Sequence, residues 1–106
     1  MLWAGLLVAQ STSEGKVVLD NDNVKVYEFE SKPGKDVCGA GKHSHPAHLT
    51  VLLTDATLTI TTPDGKVSVK KLKSGSTFWN PAETHMVVNS GGGQLKCQLV
   101  EVKKQN

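Results

Sequence analysis

Short apolar stretches separated by polar turns fill this chain, and none holds the three-to-four-residue spacing of an amphipathic helix. Thr57-Leu-Thr-Ile-Thr61 alternates strictly, so every second side chain goes to one face of an extended strand. Lys16–Asp20 and Val24–Glu30 are rich in Val, Tyr and Phe, types that suit a pleated, half-buried surface, and Asp20-Asn-Asp-Asn23 between them reads as a turn. Further strands are expected over His48–Thr54, Ala56–Thr62, Lys66–Leu72, Ser76–Asn80, His85–Asn89 and Gln94–Val102. The breaks fall at Ser31-Lys-Pro-Gly-Lys35, at Lys73-Ser-Gly75 and at the flexible run Ser90-Gly-Gly-Gly93. Pro63-Asp-Gly-Lys66 is a strong hairpin signal, because Pro fixes the first turn position and Gly accepts a positive φ.

Roughly eight or nine short strands with frequent turns predict an all-β fold, a small closed β-barrel or jelly roll. Closure removes edges that such short strands would otherwise expose, and leaves an interior that inward side chains must fill. At 106 residues the chain suffices for one core, with a barrel domain over residues 16–106. A net charge of +2 with mixed signs makes no basic stripe, and aromatic residues are 5% of the chain. That combination argues against a nucleic-acid partner. The lysines at 66, 70, 71 and 73 read as a solvated edge strand.

Residues 1–15 begin with the apolar run Met1-Leu-Trp-Ala-Gly-Leu-Leu-Val-Ala9, too short to cross a bilayer, so no membrane partner is expected. The run reads as a signal-peptide core without its basic start or as an extra strand, with export to the periplasm preferred to a cytoplasmic location. Cys38 and Cys97 match no zinc spacing and fall where strands are expected. They read as buried unpaired thiols, or as a cross-strand disulfide if the protein is exported.

All four histidines lie in two short stretches, Lys42-His-Ser-His-Pro-Ala-His48 and Pro81-Ala-Glu-Thr-His85. His43 and His45 are two apart, so a strand presents both rings on one face, the arrangement needed to offer two imidazoles to one ion. Strict alternation turns His48 away, but Pro46 lacks an N–H and favours a bulge or break that resets the parity. His85 follows a Pro-containing turn and can close the site from a neighbouring strand. Imidazole nitrogen suits one divalent transition metal ion: zinc, iron, copper or nickel, with manganese tolerated when oxygens complete the shell.

These residues make the chain resemble a cupin of the RmlC-like superfamily, over Val24 to Val102. His43-Ser-His45 matches the centre of the first cupin motif. Its flanking glycines are Val37 and Asp55 here, and alignment on Val51-Leu52-Leu53 puts His48 where the motif's glutamate stands. Gly75, Pro81, His85 and Asn89 match the second motif, with Glu83 in place of its middle glycine and one residue fewer before the histidine. The resemblance implies a double-stranded β-helix with His43, His45 and His85 as metal ligands and His48 at the fourth position. A neutral imidazole there leaves the full charge on the ion and favours softer metals, so cupins that abstract protons with a ligand glutamate are poor guides.

Small cupins include dioxygenases, isomerases and lyases, so a metal-dependent enzyme on a small molecule is one expectation. The alternative is a cupin that binds metal or a small ligand without turnover, since four histidines can saturate a tetrahedral ion. Glu83 reads as an acid behind His85 or, in preference, as a surface residue. One of Phe78 and Trp79 should wall the interior, and Asn89 should hold a loop by hydrogen bonds. A homodimer through edge strands is the default expectation for a small cupin.

Overall fold

A computed structural model describes residues 15–103, so the apolar run Met1–Ala9 lies outside the described residues. Nine strands form among them: β1 (Lys16–Asp20), β2 (Val24–Ser31), β3 (His43–His45), β4 (His48–Leu52), β5 (Ala56–Thr61), β6 (Val67–Leu72), β7 (Thr77–Asn80), β8 (Glu83–Asn89) and β9 (Leu95–Val102). They make a five-stranded sheet in the order β1-β2-β9-β4-β7 and a four-stranded sheet in the order β3-β8-β5-β6. All the pairings are antiparallel. This is the jelly-roll form of a double-stranded β-helix. The expected closure is achieved by packing: among the described residues β1, β7, β3 and β6 are sheet edges, and no hydrogen-bonded ring runs round the barrel.

Period-two patterning builds the core. Leu95, Cys97 and Leu99 of β9, Ala56 and Leu58 of β5, Leu52 of β4, Val87 of β8 and Phe29 of β2 meet between the sheets, with Val37 from the β2–β3 loop. β6 is an exposed edge, as its lysines suggest, with Val67 and Val69 facing out. The hairpin at Pro63–Lys66 forms as expected, with Gly65 at φ 89° and Thr62 N–H donating to the Lys66 carbonyl at 3.0 Å. Asn21 Oδ1 closes the β1–β2 turn by accepting from Asn23 N–H at 2.8 Å and Val24 N–H at 2.9 Å.

The interior changes character from one end to the other. Along β8 the buried positions are Asn89, Val87 and His85, and along β4 they are Leu52 and His48. At one end Asn89 holds a loop, as expected: its Nδ2 donates to Ser31 O at 2.9 Å and Gly93 O at 3.0 Å, and its Oδ1 accepts from Gly91 N–H at 3.1 Å. At the other end the same inward rows finish in imidazoles.

Candidate metal centre

β3 and β8 pair so that His43 lies directly across from His85, Ser44 from Thr84 and His45 from Glu83. Spacing by two puts the His43 and His45 rings on one face, with centroids 4.7 Å apart, and His85 stands 4.7 Å from His43 and 5.4 Å from His45. The outward residue between them, Ser44, meets Thr84 by a 2.7 Å hydroxyl–hydroxyl hydrogen bond that locks the short ladder. Pro46 then breaks the strand. β4 starts at His48 in the other sheet, and the parity reset brings that ring back inside, buried and 5.1 Å from His45.

The rings are aimed as well as gathered. His43 Nδ1–H donates to Gly41 O at 2.9 Å and His48 Nδ1–H to Pro46 O at 2.8 Å. His85 Nδ1 faces Glu83 Oε2 at 3.4 Å. With Nδ1–H of His43 and His48 committed to carbonyls, their Nε2 lone pairs are left for the interior, as ligating histidines require, and the Glu83 carboxylate beside His85 Nδ1 favours the same tautomer there. Glu83 is therefore turned toward His85 and is not the surface residue expected from the sequence. Its side chain is 29% exposed and stands directly behind His85. Alternation over β8, which begins at Glu83 rather than at His85, puts the two on the same face.

Cys38 departs furthest from expectation. It lies in the β2–β3 loop and not in a strand, with φ at 59°, and it is a free thiol, as is Cys97. Its Sγ is 3.3 Å from His43 Nε2 and 3.7 Å from His85 Nε2. Sequence spacing gave no sign of this, because no regular period links a loop cysteine to histidines on two strands. Gly39, next in the loop, makes room for the His43 ring: a Cβ there would lie 2.6 Å from its Cγ, and φ is 151°. The ligating atoms of Cys38, His43, His45 and His85 all fall within 4.8 Å of one another, and His48 is not part of that group.

Burial favours the neutral forms of His45, His85 and Cys38. Burial, and then the charges of His43, His48 and His85, pull His45 down to about 4. Burial, then His43 and His48, pull His85 down to about 4 as well. Burial pushes the Cys38 thiol well above its ordinary range, with Cys97, Glu83 and Asp36 adding to the effect. Cys97, deep among leucines, is pushed up to about 12 by burial and then by Glu28. Among the described residues, one buried side-chain nitrogen or oxygen lacks a hydrogen-bond partner, His45 Nε2. A buried polar atom left unpaired costs about 1–3 kcal/mol. A divalent ion accepting its lone pair would remove that cost, so these donors fit the group that they resemble.

A cavity of about 80 Å³ adjoins the centre, reaching from His48, Glu83 and His85 to Leu52, Leu95 and Leu99. Phe78 faces it, and Trp79, its neighbour, is 55% exposed. A larger hollow of about 350 Å³, lined by Asp55, Lys71, Lys73 and the Gly91–Gly93 loop, lies at the other end of β8 and includes no histidine.

No protein-family model matches the chain. It is 30% identical over 87 residues to the β-alanine degradation protein BauB of Pseudomonas aeruginosa, covering 82% of this chain and 90% of that one. A cupin domain from Bordetella pertussis, known from its crystal structure, superposes with a TM-score of 0.78 at 27% identity, over 90% of this chain and 97% of that chain. The chain belongs to the cupins. An RmlC-like cupin from Methanocaldococcus jannaschii, with a double-stranded β-helix fold, shares the fold at a TM-score of 0.66 and 15% identity, over 86% and 80% of the two chains. In this cupin, then, the barrel end that gathers three histidines also gathers a thiol, and the set can hold a metal ion.

Proposed function

We propose that this cupin binds one divalent transition metal ion through Nε2 of His43, His45 and His85 and acts on a small molecule in the adjoining cavity. The observation that carries this reading is the unpartnered, buried His45 Nε2 in the midst of the other donors. Such an ion supplies Lewis-acid polarisation of a substrate oxygen or, if redox-active, electron transfer. The chain's own residues do the rest. Gly41 O and Glu83 keep the Nδ1 protons of His43 and His85 away from the centre, and the cavity's leucines exclude water. The cavity volume suits a molecule of only a few heavy atoms. The naming of a relative for β-alanine degradation supports small amino acids and their breakdown products as the class to test.

A second reading, metal or ligand binding without turnover, draws on the donor count, since four protein donors can fill a tetrahedral ion. Both readings are tested by metal analysis of the purified protein and of His43→Ala and His85→Ala, followed by incubation of the loaded protein with small amino and carboxylic acids under NMR. One equivalent of metal, lost in both variants, is expected. Full metal content in either variant would overturn the centre. Metal binding without conversion of any compound would leave the non-catalytic reading in place of the enzyme.

A further inference from the structure

A cysteine in a protein interior can be plain core filler, and Cys97 is that case, buried among Leu95, Leu99 and the rest of the apolar cluster. Cys38 differs. It packs at the margin of the core, and its sulfur lies against two imidazole nitrogens. Because His43 Nδ1–H is committed to Gly41 O, His43 Nε2 is an acceptor and the Cys38 S–H points to it.

Zinc–sulfur and zinc–nitrogen bonds at a tetrahedral angle set sulfur and nitrogen about 3.6 Å apart. The two Cys38–histidine separations, 3.3 and 3.7 Å, fall on either side of that value. The loop is also anchored to the strand that carries His85. Val37 N–H donates to Val87 O at 2.9 Å, Asp36 bridges to Val88, and Asp36 Oδ2 accepts from Gly41 N–H at 3.1 Å. Within this frame Cys38 takes a left-handed backbone conformation that non-glycine residues seldom adopt.

We infer that Cys38 is the fourth protein ligand, so that the centre is three imidazoles and a thiolate. This rests on the three-histidine reading above. As the Sγ–metal bond forms, the S–H bond breaks and its proton leaves to solvent, so one proton is released per ion. The thiolate lowers the net charge of the site and selects a soft or borderline ion such as zinc or cobalt over manganese. His48 stands in the other sheet, outside the group of converging donors, and lines the cavity beside it.

Titration of the metal-free protein with Co²⁺ tests this. The expected result is a near-ultraviolet sulfur-to-cobalt charge-transfer band together with the visible bands of tetrahedral cobalt. Cys97→Ser and His48→Gln should keep the charge-transfer band. Cys38→Ser should lose it and bind cobalt at least about tenfold more weakly. Bound cobalt without the band in the unmodified protein, or a band that survives Cys38→Ser, overturns the assignment of Cys38 but leaves the three histidines standing. Failure to bind cobalt at all takes down the three-histidine centre, and the fourth ligand with it. A second measurement needs no variant: X-ray absorption of the zinc-loaded protein should show one sulfur neighbour at about 2.3 Å beside the nitrogens. A shell of nitrogen and oxygen without sulfur overturns the inference.

Discussion

His43 and His85 occupy directly opposed positions of the β3–β8 ladder, 42 residues apart in sequence and 4.7 Å apart between ring centroids. Register, more than loop length, makes the site, because a one-residue slip of β3 would send His43 and His45 to the outer face together. The Ser44–Thr84 hydrogen bond on that outer face helps fix the register.

Glu83 orients His85 without touching the centre. Glu83→Gln keeps the shape but removes the carboxylate from His85 Nδ1, and metal affinity should fall about 10-fold or more. Competition with a chromophoric chelator measures it. Unchanged affinity would mean that the 3.4 Å approach plays no part in holding the ring.

Gly39 is needed for space and for backbone conformation. Gly39→Ala drives a methyl into the His43 ring and forces an L side chain to a φ of 151°. Metal binding should be lost or weakened more than 10-fold while the far-ultraviolet circular dichroism of the barrel persists. Wild-type metal affinity in this variant would show that the loop relaxes freely.

Acid should loosen the metal-free protein in a defined window. His45 and His85 are pulled down to about 4 in the folded state, against 6.5 for an ordinary histidine. Between those values the unfolded chain binds more protons than the folded one, so stability falls as pH drops from about 6.5 to about 4 and these groups add nothing further below. Urea midpoints across that range check it, with His45→Gln giving a shallower slope. A midpoint independent of pH through the window would contradict burial of these rings.

Leu52 is 1% exposed and belongs to the apolar cluster below the histidines. Leu52→Ala should destabilise the fold by about 2–5 kcal/mol. Chemical denaturation reads this directly, and a loss well under 1 kcal/mol would mean that the interior collapses around the gap.

Much of this molecule could be read from one dimension. Alternation in Thr57–Thr61, with turn chemistry at Asp20–Asn23 and Pro63–Lys66, specified strands and hairpins because those signals are local. His43-Ser-His45 likewise defined a shared face, since period two is a property of any strand. Pro46 indicated a break, although that it marks a crossing between sheets is a matter of topology.

The partners across the barrel belong to the tertiary structure. That His85 faces His43, that Glu83 turns in behind it, and that a left-handed Cys38 brings a sulfur to the same point all depend on contacts between segments distant in sequence. Strand periodicity decides which way a side chain points, and only the packing of two sheets and one anchored loop decides what it meets there.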